Sequence, residues 1–91
     1  MDLNHFAHVT LFLCKLHRGS VKSWIRSEQH NAAEGGVPDS WHLDGLAADI
    51  TTDDPSRKPF LIVDAAKLGL DAIDEGNHVH IEPSGPRHPT P

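Results

Sequence analysis

Apolar residues near the start of the chain recur at steps of three and four. This spacing predicts a helix that runs to about residue 17, with Gly19 as its terminator. The residues expected on its buried face are Leu3, Phe6, Val9, Leu13 and Leu16.

The pattern then changes to alternation, which is typical of strands. Val21–Ile25 alternates apolar and polar positions and predicts a first strand. Residues 27–41 are polar, contain two adjacent glycines and a proline, and predict a long loop. Leu46–Thr51 predicts a short buried strand with an aspartate, Asp49, in its middle.

The second half of the chain predicts a helix and a hairpin. The helix spans Phe60–Leu68, with Ser56 as its cap, Pro59 in its first turn and Gly69 as its stop. The hairpin pairs Asp71–Asp74 with His78–Glu82 across a turn at residues 75–77. Together these elements predict an α+β fold, in which two helices pack on a small, mostly antiparallel sheet. We expect one domain over residues 1–82 and an irregular, proline-rich tail over residues 83–91.

Composition narrows the classes of function. The chain has 91 residues, a net charge of −5, eight histidines and one cysteine, Cys14. A single cysteine excludes an internal disulfide and a zinc site built from several thiolates, so imidazole and carboxylate must hold any metal. The net negative charge argues against a nucleic-acid-binding protein. The apolar run at the start of the chain is too short to span a membrane. Without a signal-peptide pattern, the chain is expected to be cytoplasmic at synthesis.

The last predicted strand places three chemically active side chains on one face. Side chains alternate along a strand, so His78, His80 and Glu82 share a face and Val79 and Ile81 share the other. Two interpretations fit this strand equally well by itself: a solvated polar face, or a face that binds a metal.

A second segment supplies further candidate ligands. Asp49 lies among apolar residues, and a buried carboxylate needs a partner, for which a cation is the strongest choice. His42 precedes it by seven positions, across Gly45. With His80, these residues make three protein ligands and leave one position of a zinc ion open, as in catalytic sites. His78 lies beside the candidate ligand His80 on the same strand face and could transfer a proton. Arg26 could bind a substrate carboxylate or be an ordinary exposed arginine.

These residues together resemble the zinc D-Ala-D-Ala carboxypeptidases, which belong to the peptidoglycan peptidases with the hedgehog/DD-peptidase fold. The resemblance covers about residues 20–82 and rests on an ordered series of short motifs. The matching residues are Arg26-Ser27, Asn31, Gly35-Gly36, Ser40, His42, Gly45, Ala47, Asp49-Ile50 and His78-Val79-His80.

The resemblance implies a zinc ion on His42, Asp49 and His80, with His78 as catalytic base or transition-state stabiliser. Some relatives carry an acidic residue three positions before the last ligand, where this chain has Asn77. The remaining implied roles are substrate binding for Arg26 and Ser40 and a hydrogen bond from Glu82 that supports the metal ligands.

The implied substrates are D-alanyl-D-alanine termini or L-Ala–D-Glu and related bonds of peptidoglycan stem peptides, cut during wall turnover or by a phage endolysin. Two alternatives stay open. One is a binding module that keeps the fold and the zinc without hydrolysis, and the other is a histidine-rich protein that binds metals loosely.

Overall fold

A computed structural model describes residues 1–24 and 46–84 of the chain. Within these ranges the chain forms two α-helices, four β-strands and a short 3-10 helix at Pro55–Arg57. The elements are α1 (Leu3–His17), β1 (Gly19–Ser23), β2 (Ala48–Thr52), α2 (Lys58–Lys67), β3 (Leu70–Asp74) and β4 (Val79–Pro83). This architecture confirms the α+β prediction.

The four strands form one antiparallel sheet in the order β1-β2-β4-β3. The predicted hairpin is present as β3 and β4, in which Ile73 pairs with His80. Strand β4 therefore lies in the middle of the sheet, between β3 and β2. In the β2–β4 pair, Asp49 stands directly opposite His80.

Both helices contribute to the same hydrophobic core. Helix α1 packs on β1 and β2, α2 packs on β3 and β4, and the helices contact each other. The buried core residues of the described chain are Phe6, Leu13, Cys14, Ala48, Ile50, Leu61, Ala65, Leu70, Val79 and Ile81. Because Val79 and Ile81 face this core, the alternation of β4 turns His80 and Glu82 to the other face of the sheet.

Helix α1 has the predicted extent, but its buried face differs from the prediction. Leu3 and Leu16 are exposed, whereas the polar residues Thr10 and His17 are buried. The predicted terminator, Gly19, was also wrong: Arg18 adopts the left-handed conformation that ends the helix, with φ 53°. Gly19 instead begins β1, where an added Cβ would lie 2.8 Å from Ile50 Cγ2. Glycine is needed there for the close approach of β1 to β2.

Helix α2 begins two residues before its predicted start. The predicted cap, Ser56, was wrong, because its backbone N–H donates to Asp54 Oδ1 at 2.9 Å and Asp54 is the capping residue. Asp54 caps the 3-10 helix, which leads directly into α2 with Pro59 in the first turn. Gly69, with φ 84°, follows the helix end as predicted.

A partly buried network of hydrogen bonds connects the two helices. His17 Nε2 lies 2.8 Å from Asp64 Oδ2, and Arg57 donates to His17 Nδ1 at 3.1 Å. Since a guanidinium can only donate, His17 accepts at Nδ1 and donates from Nε2 to Asp64. These hydrogen bonds fix the end of α1 against the start and middle of α2.

Several predicted features lie outside the described residues. They are Ile25, the loop at 27–41 and the tail from residue 85 onward. Within residues 1–24 and 46–84, no helix has the length and apolar character to cross a membrane.

Candidate metal centre

Asp49 and His80 form a buried pair at the centre of the sheet. They are direct partners on β2 and β4, so their side chains project from the same face. Asp49 Oδ1 lies 3.0 Å from His80 Nδ1, and the two residues are 3% and 1% exposed. The structure thus brings together two of the three predicted ligands. The third, His42, lies outside the described residues.

The second ring nitrogen of His80 is held by Glu82. Nε2 lies 2.9 Å from Glu82 Oε1, and both side chains are fully buried. A solvated strand face, one of the two interpretations of β4, is therefore wrong for His80 and Glu82. With Nε2–H donating to Glu82, the Nδ1 lone pair is directed towards Asp49 and is available to a metal.

The two carboxylates favour a cation at this position. Burial of the imidazole disfavours its charged form. However, hydrogen bonds to Asp49 and Glu82, together with the charges of these carboxylates, outweigh burial and raise the pKa of His80 above 6.5. A proton and a metal ion would therefore compete for His80 Nδ1.

A third acidic residue, Glu75, reaches the same site. Ligand atoms of Asp49, Glu75 and His80 all lie within 4.8 Å of one another. By its sequence position, Glu75 is predicted only as part of the hairpin turn, and the residue three positions before His80 is Asn77. The predicted turn could have indicated this position. A tight turn brings Glu75, which follows β3, back beside His78, which precedes β4.

The turn that carries Glu75 is held by several hydrogen bonds. Glu75 N–H donates to the His78 carbonyl oxygen at 2.9 Å, and Gly76 adopts a φ of 94°. Lys58 Nζ at the start of α2 donates to Asp74 Oδ1 at 3.1 Å and to the Gly76 carbonyl oxygen at 2.7 Å. These contacts tie the turn to α2 and restrict the position of Glu75.

His78 lies between the buried pair and the turn. Its Nε2 is 3.0 Å from Glu75 Oε1 and 3.7 Å from Asp49 Oδ1, and its Nδ1 is 2.6 Å from Asn77 Oδ1. Both ring nitrogens thus face oxygen acceptors. The ring is therefore held by hydrogen-bonding partners on both sides.

The donor set fits a zinc ion. Zinc binds imidazole nitrogen and carboxylate oxygen, whereas calcium and magnesium take oxygen ligands. Two ligands about 2 Å from one tetrahedral ion lie roughly 3.3 Å apart. The 3.0 Å separation of Asp49 Oδ1 and His80 Nδ1 is close to this value.

The comparison with known families agrees with this geometry. A family model described as Peptidase M15 matches residues 17–82, which is most of the chain. The chain belongs to the M15 peptidase family. The candidate metal centre of this M15 domain lies within the matched residues, and the family consists of zinc peptidases. No curated protein and no solved structure matches the chain significantly.

The family assignment confirms the resemblance recognised in the sequence. Of the predicted site residues of the M15 domain, the structure places Asp49, His78, His80 and Glu82 together. Arg26, Ser40 and His42 lie outside the described residues, so their roles stay predictions.

Proposed function

We propose that this M15 domain is a zinc-dependent peptidase that hydrolyses stem or cross-link peptides of peptidoglycan. It would act as a D-Ala-D-Ala carboxypeptidase or as an L-Ala–D-Glu-type endopeptidase, in wall turnover or as a phage endolysin. The observation that supports this most directly is the buried Asp49–His80 pair, with Glu75 and His78 at its edge.

We assign the metal to the buried residues of the site. Asp49 and His80, with His42 as the third ligand, would hold zinc through one oxygen and two nitrogens. Glu82 would orient the ring of His80 through Nε2–H. When bound, zinc polarises the scissile carbonyl and lowers the pKa of water towards neutrality.

The two more accessible residues would handle the proton and the developing charge. The side chains of Glu75 and His78 are 33% and 17% exposed, in contrast to 5% for Asp49 and 1% for His80. Glu75 is the proposed proton acceptor, since a carboxylate at the edge of the site can reach both water and substrate. His78, which faces acceptors at both nitrogens, would donate to the oxygen of the scissile carbonyl as negative charge develops there.

Substrate recognition is assigned to the segment before the metal ligands. Arg26 would bind the terminal carboxylate of the stem peptide through its guanidinium fork, and Ser40 would support the site. These roles rest on the family resemblance and on the chemistry of the two side chains.

The test separates metal binding from catalysis. His80→Ala should lose both zinc and activity, because it removes a ligand. His78→Ala and Glu75→Gln should retain stoichiometric zinc while the rate falls by roughly 10²- to 10⁴-fold. Zinc is measured by elemental analysis, and activity by mass identification of the products released from defined peptidoglycan fragments.

The same assay distinguishes the alternative, a zinc-containing binding module of the same fold. A binding module would retain affinity for the fragments but release no product, and His78→Ala would change nothing that the assay measures. Hydrolysis that survives complete removal of the metal would refute the proposed function.

A further inference from the structure

Each of the two helices exposes large apolar side chains to solvent. Phe12 and Leu16 lie one turn apart on α1, and Phe60 and Val63 lie three residues apart on α2. Each of these four residues is between 48% and 59% exposed. We call this surface, defined by the four residues, the helix face. It lies on the opposite side of the core from the metal centre.

Arg57 connects the two halves of the helix face. Its guanidinium carbon lies 5.4 Å from the centroid of the Phe60 ring, and it donates to His17 on α1. Arg57 and Leu16 also border one cavity of about 390 Å³. Leu16 of α1 and Phe60 of α2 therefore both lie beside Arg57, which joins the two helices on this side.

The charges beside the helix face are of both signs. The cavity next to Leu16 is lined by Arg18 and Arg57 and by Asp53 and Asp54. A membrane surface or a nucleic acid would favour basic residues alone, and two carboxylates would repel either partner. A second copy turned by a two-fold axis instead presents its carboxylates to these guanidinium groups and its guanidinium groups to these carboxylates.

We propose that the helix face is the interface of a homodimer of this chain. Four apolar side chains would form the centre, and the mixed-charge cavity would form a polar rim that fixes the two-fold orientation. The described core contains only ten buried residues, and a small domain commonly gains stability by association. The metal centres would stay open on the outer sides of the dimer.

The expected dimer is weak. Helix α1 has 15 residues and is about 22 Å long, so two adjacent helices present on the order of 400 Å² in each copy. This area is about half of the ~800 Å² per partner of a standard interface, so the dimer should be transient and should dissociate on dilution. Association should therefore be visible as a concentration-dependent mass.

The experiment is sedimentation equilibrium of the full chain over a wide concentration range. The wild type should shift from one chain mass of 10.0 kDa towards twice that mass. Phe60→Lys and Leu16→Lys, both at exposed positions, should stay at one chain mass. Ile73→Lys is the matched control, because Ile73 is 45% exposed but lies on the other face of the sheet.

A charge exchange tests the two-fold arrangement separately. Arg18→Asp should weaken the dimer at least tenfold, and the double variant Arg18→Asp with Asp53→Arg should recover most of the loss. Circular dichroism confirms that each variant is folded. A wild type that stays at one chain mass at every concentration would overturn the proposal. So would a dimer that survives both lysine substitutions on the helix face, or one lost equally in Ile73→Lys.

Discussion

His80 connects most of the chemistry of the site, because each of its ring nitrogens faces a different carboxylate. Asp49 lies on the Nδ1 side and Glu82 on the Nε2 side. Only one nitrogen can bind a metal, and the hydrogen bond at the other nitrogen decides which. Glu82 would therefore influence a metal bound at Nδ1 without binding it.

Replacing Glu82 with Gln should weaken zinc binding without preventing folding. The amide keeps the size and one acceptor oxygen, but it removes the negative charge that makes His80 a better ligand. We expect the zinc affinity to fall roughly 10- to 100-fold, measured by competition with a chromogenic chelator. Asp53→Asn, at the far end of β2, is the control and should leave the affinity unchanged. An unchanged affinity in Glu82→Gln would show that the hydrogen bond has no influence on the metal.

Zinc binding should weaken as the pH falls. The neighbouring carboxylates raise the pKa of His80 above 6.5, and the proton must leave before Nδ1 can bind a metal. Below the raised pKa, the zinc affinity should fall by up to about tenfold per pH unit. Titrations at a series of pH values check this, and a flat pH profile would contradict it.

In the metal-free protein, the contribution of His80 to folding stability should instead fall as the pH rises. Because folding raises the pKa of His80, protonated His80 stabilises the folded state. This contribution is fully present below pH 6.5. That contribution is lost as the pH rises through the folded-state pKa. His80→Gln lacks the titrating group, so the difference in stability between the metal-free wild type and this variant should shrink as the pH rises.

Among the elements, the two helices are joined by a polar contact. His17 on α1 is 2% exposed and depends on Asp64 of α2 as the acceptor for Nε2–H. Partners at both ring nitrogens explain how this histidine can be buried among core residues.

Asp64→Ala should destabilise the fold by about 1–3 kcal/mol, because it leaves the buried Nε2–H of His17 without its acceptor. Asp64→Asn keeps an acceptor oxygen, so its free energy of unfolding should fall clearly less than that of Asp64→Ala. Urea denaturation of both variants measures the difference in the free energy of unfolding. Equal losses in the two variants would mean that the charge of Asp64, and not its role as acceptor, stabilises the contact.

For the molecule as a whole, a bound metal should stabilise the fold. The proposed ligands come from β2, from β4 and from the segment before β2, so an ion bound to all three would restrain the sheet. Zinc at a free concentration 100 times its Kd should add about 2.7 kcal/mol to the free energy of unfolding.

Calorimetry in the presence of a chelator tests this linkage. Removal of zinc should lower the Tm of the wild type, and it should leave the Tm of His80→Ala unchanged. A wild-type Tm that does not respond to the chelator would exclude a metal shared between the strands.

The helices, the β3–β4 hairpin and the face that His80 and Glu82 share could be predicted from the sequence alone. Spacing of three and four indicated α1, alternation indicated β4, and the hairpin turn was visible at residues 75–77. These are local properties, because neighbouring residues decide helix or strand and place His80 and Glu82 on one face. The ordered motifs also indicated the family that the comparison confirmed.

Which residues contact each other depends on how the distant segments pack. The register of β2 against β4 sets Asp49 opposite His80, and no local pattern encodes that pairing. Leu16 and His17 show the same limit, since both fit a helical pattern but packing against α2 buries the histidine and exposes the leucine. Glu75 joined the site only because the turn folds back beside His78. The physical reason is that contacts between distant segments depend on the position of the whole backbone, which a short stretch of sequence does not specify.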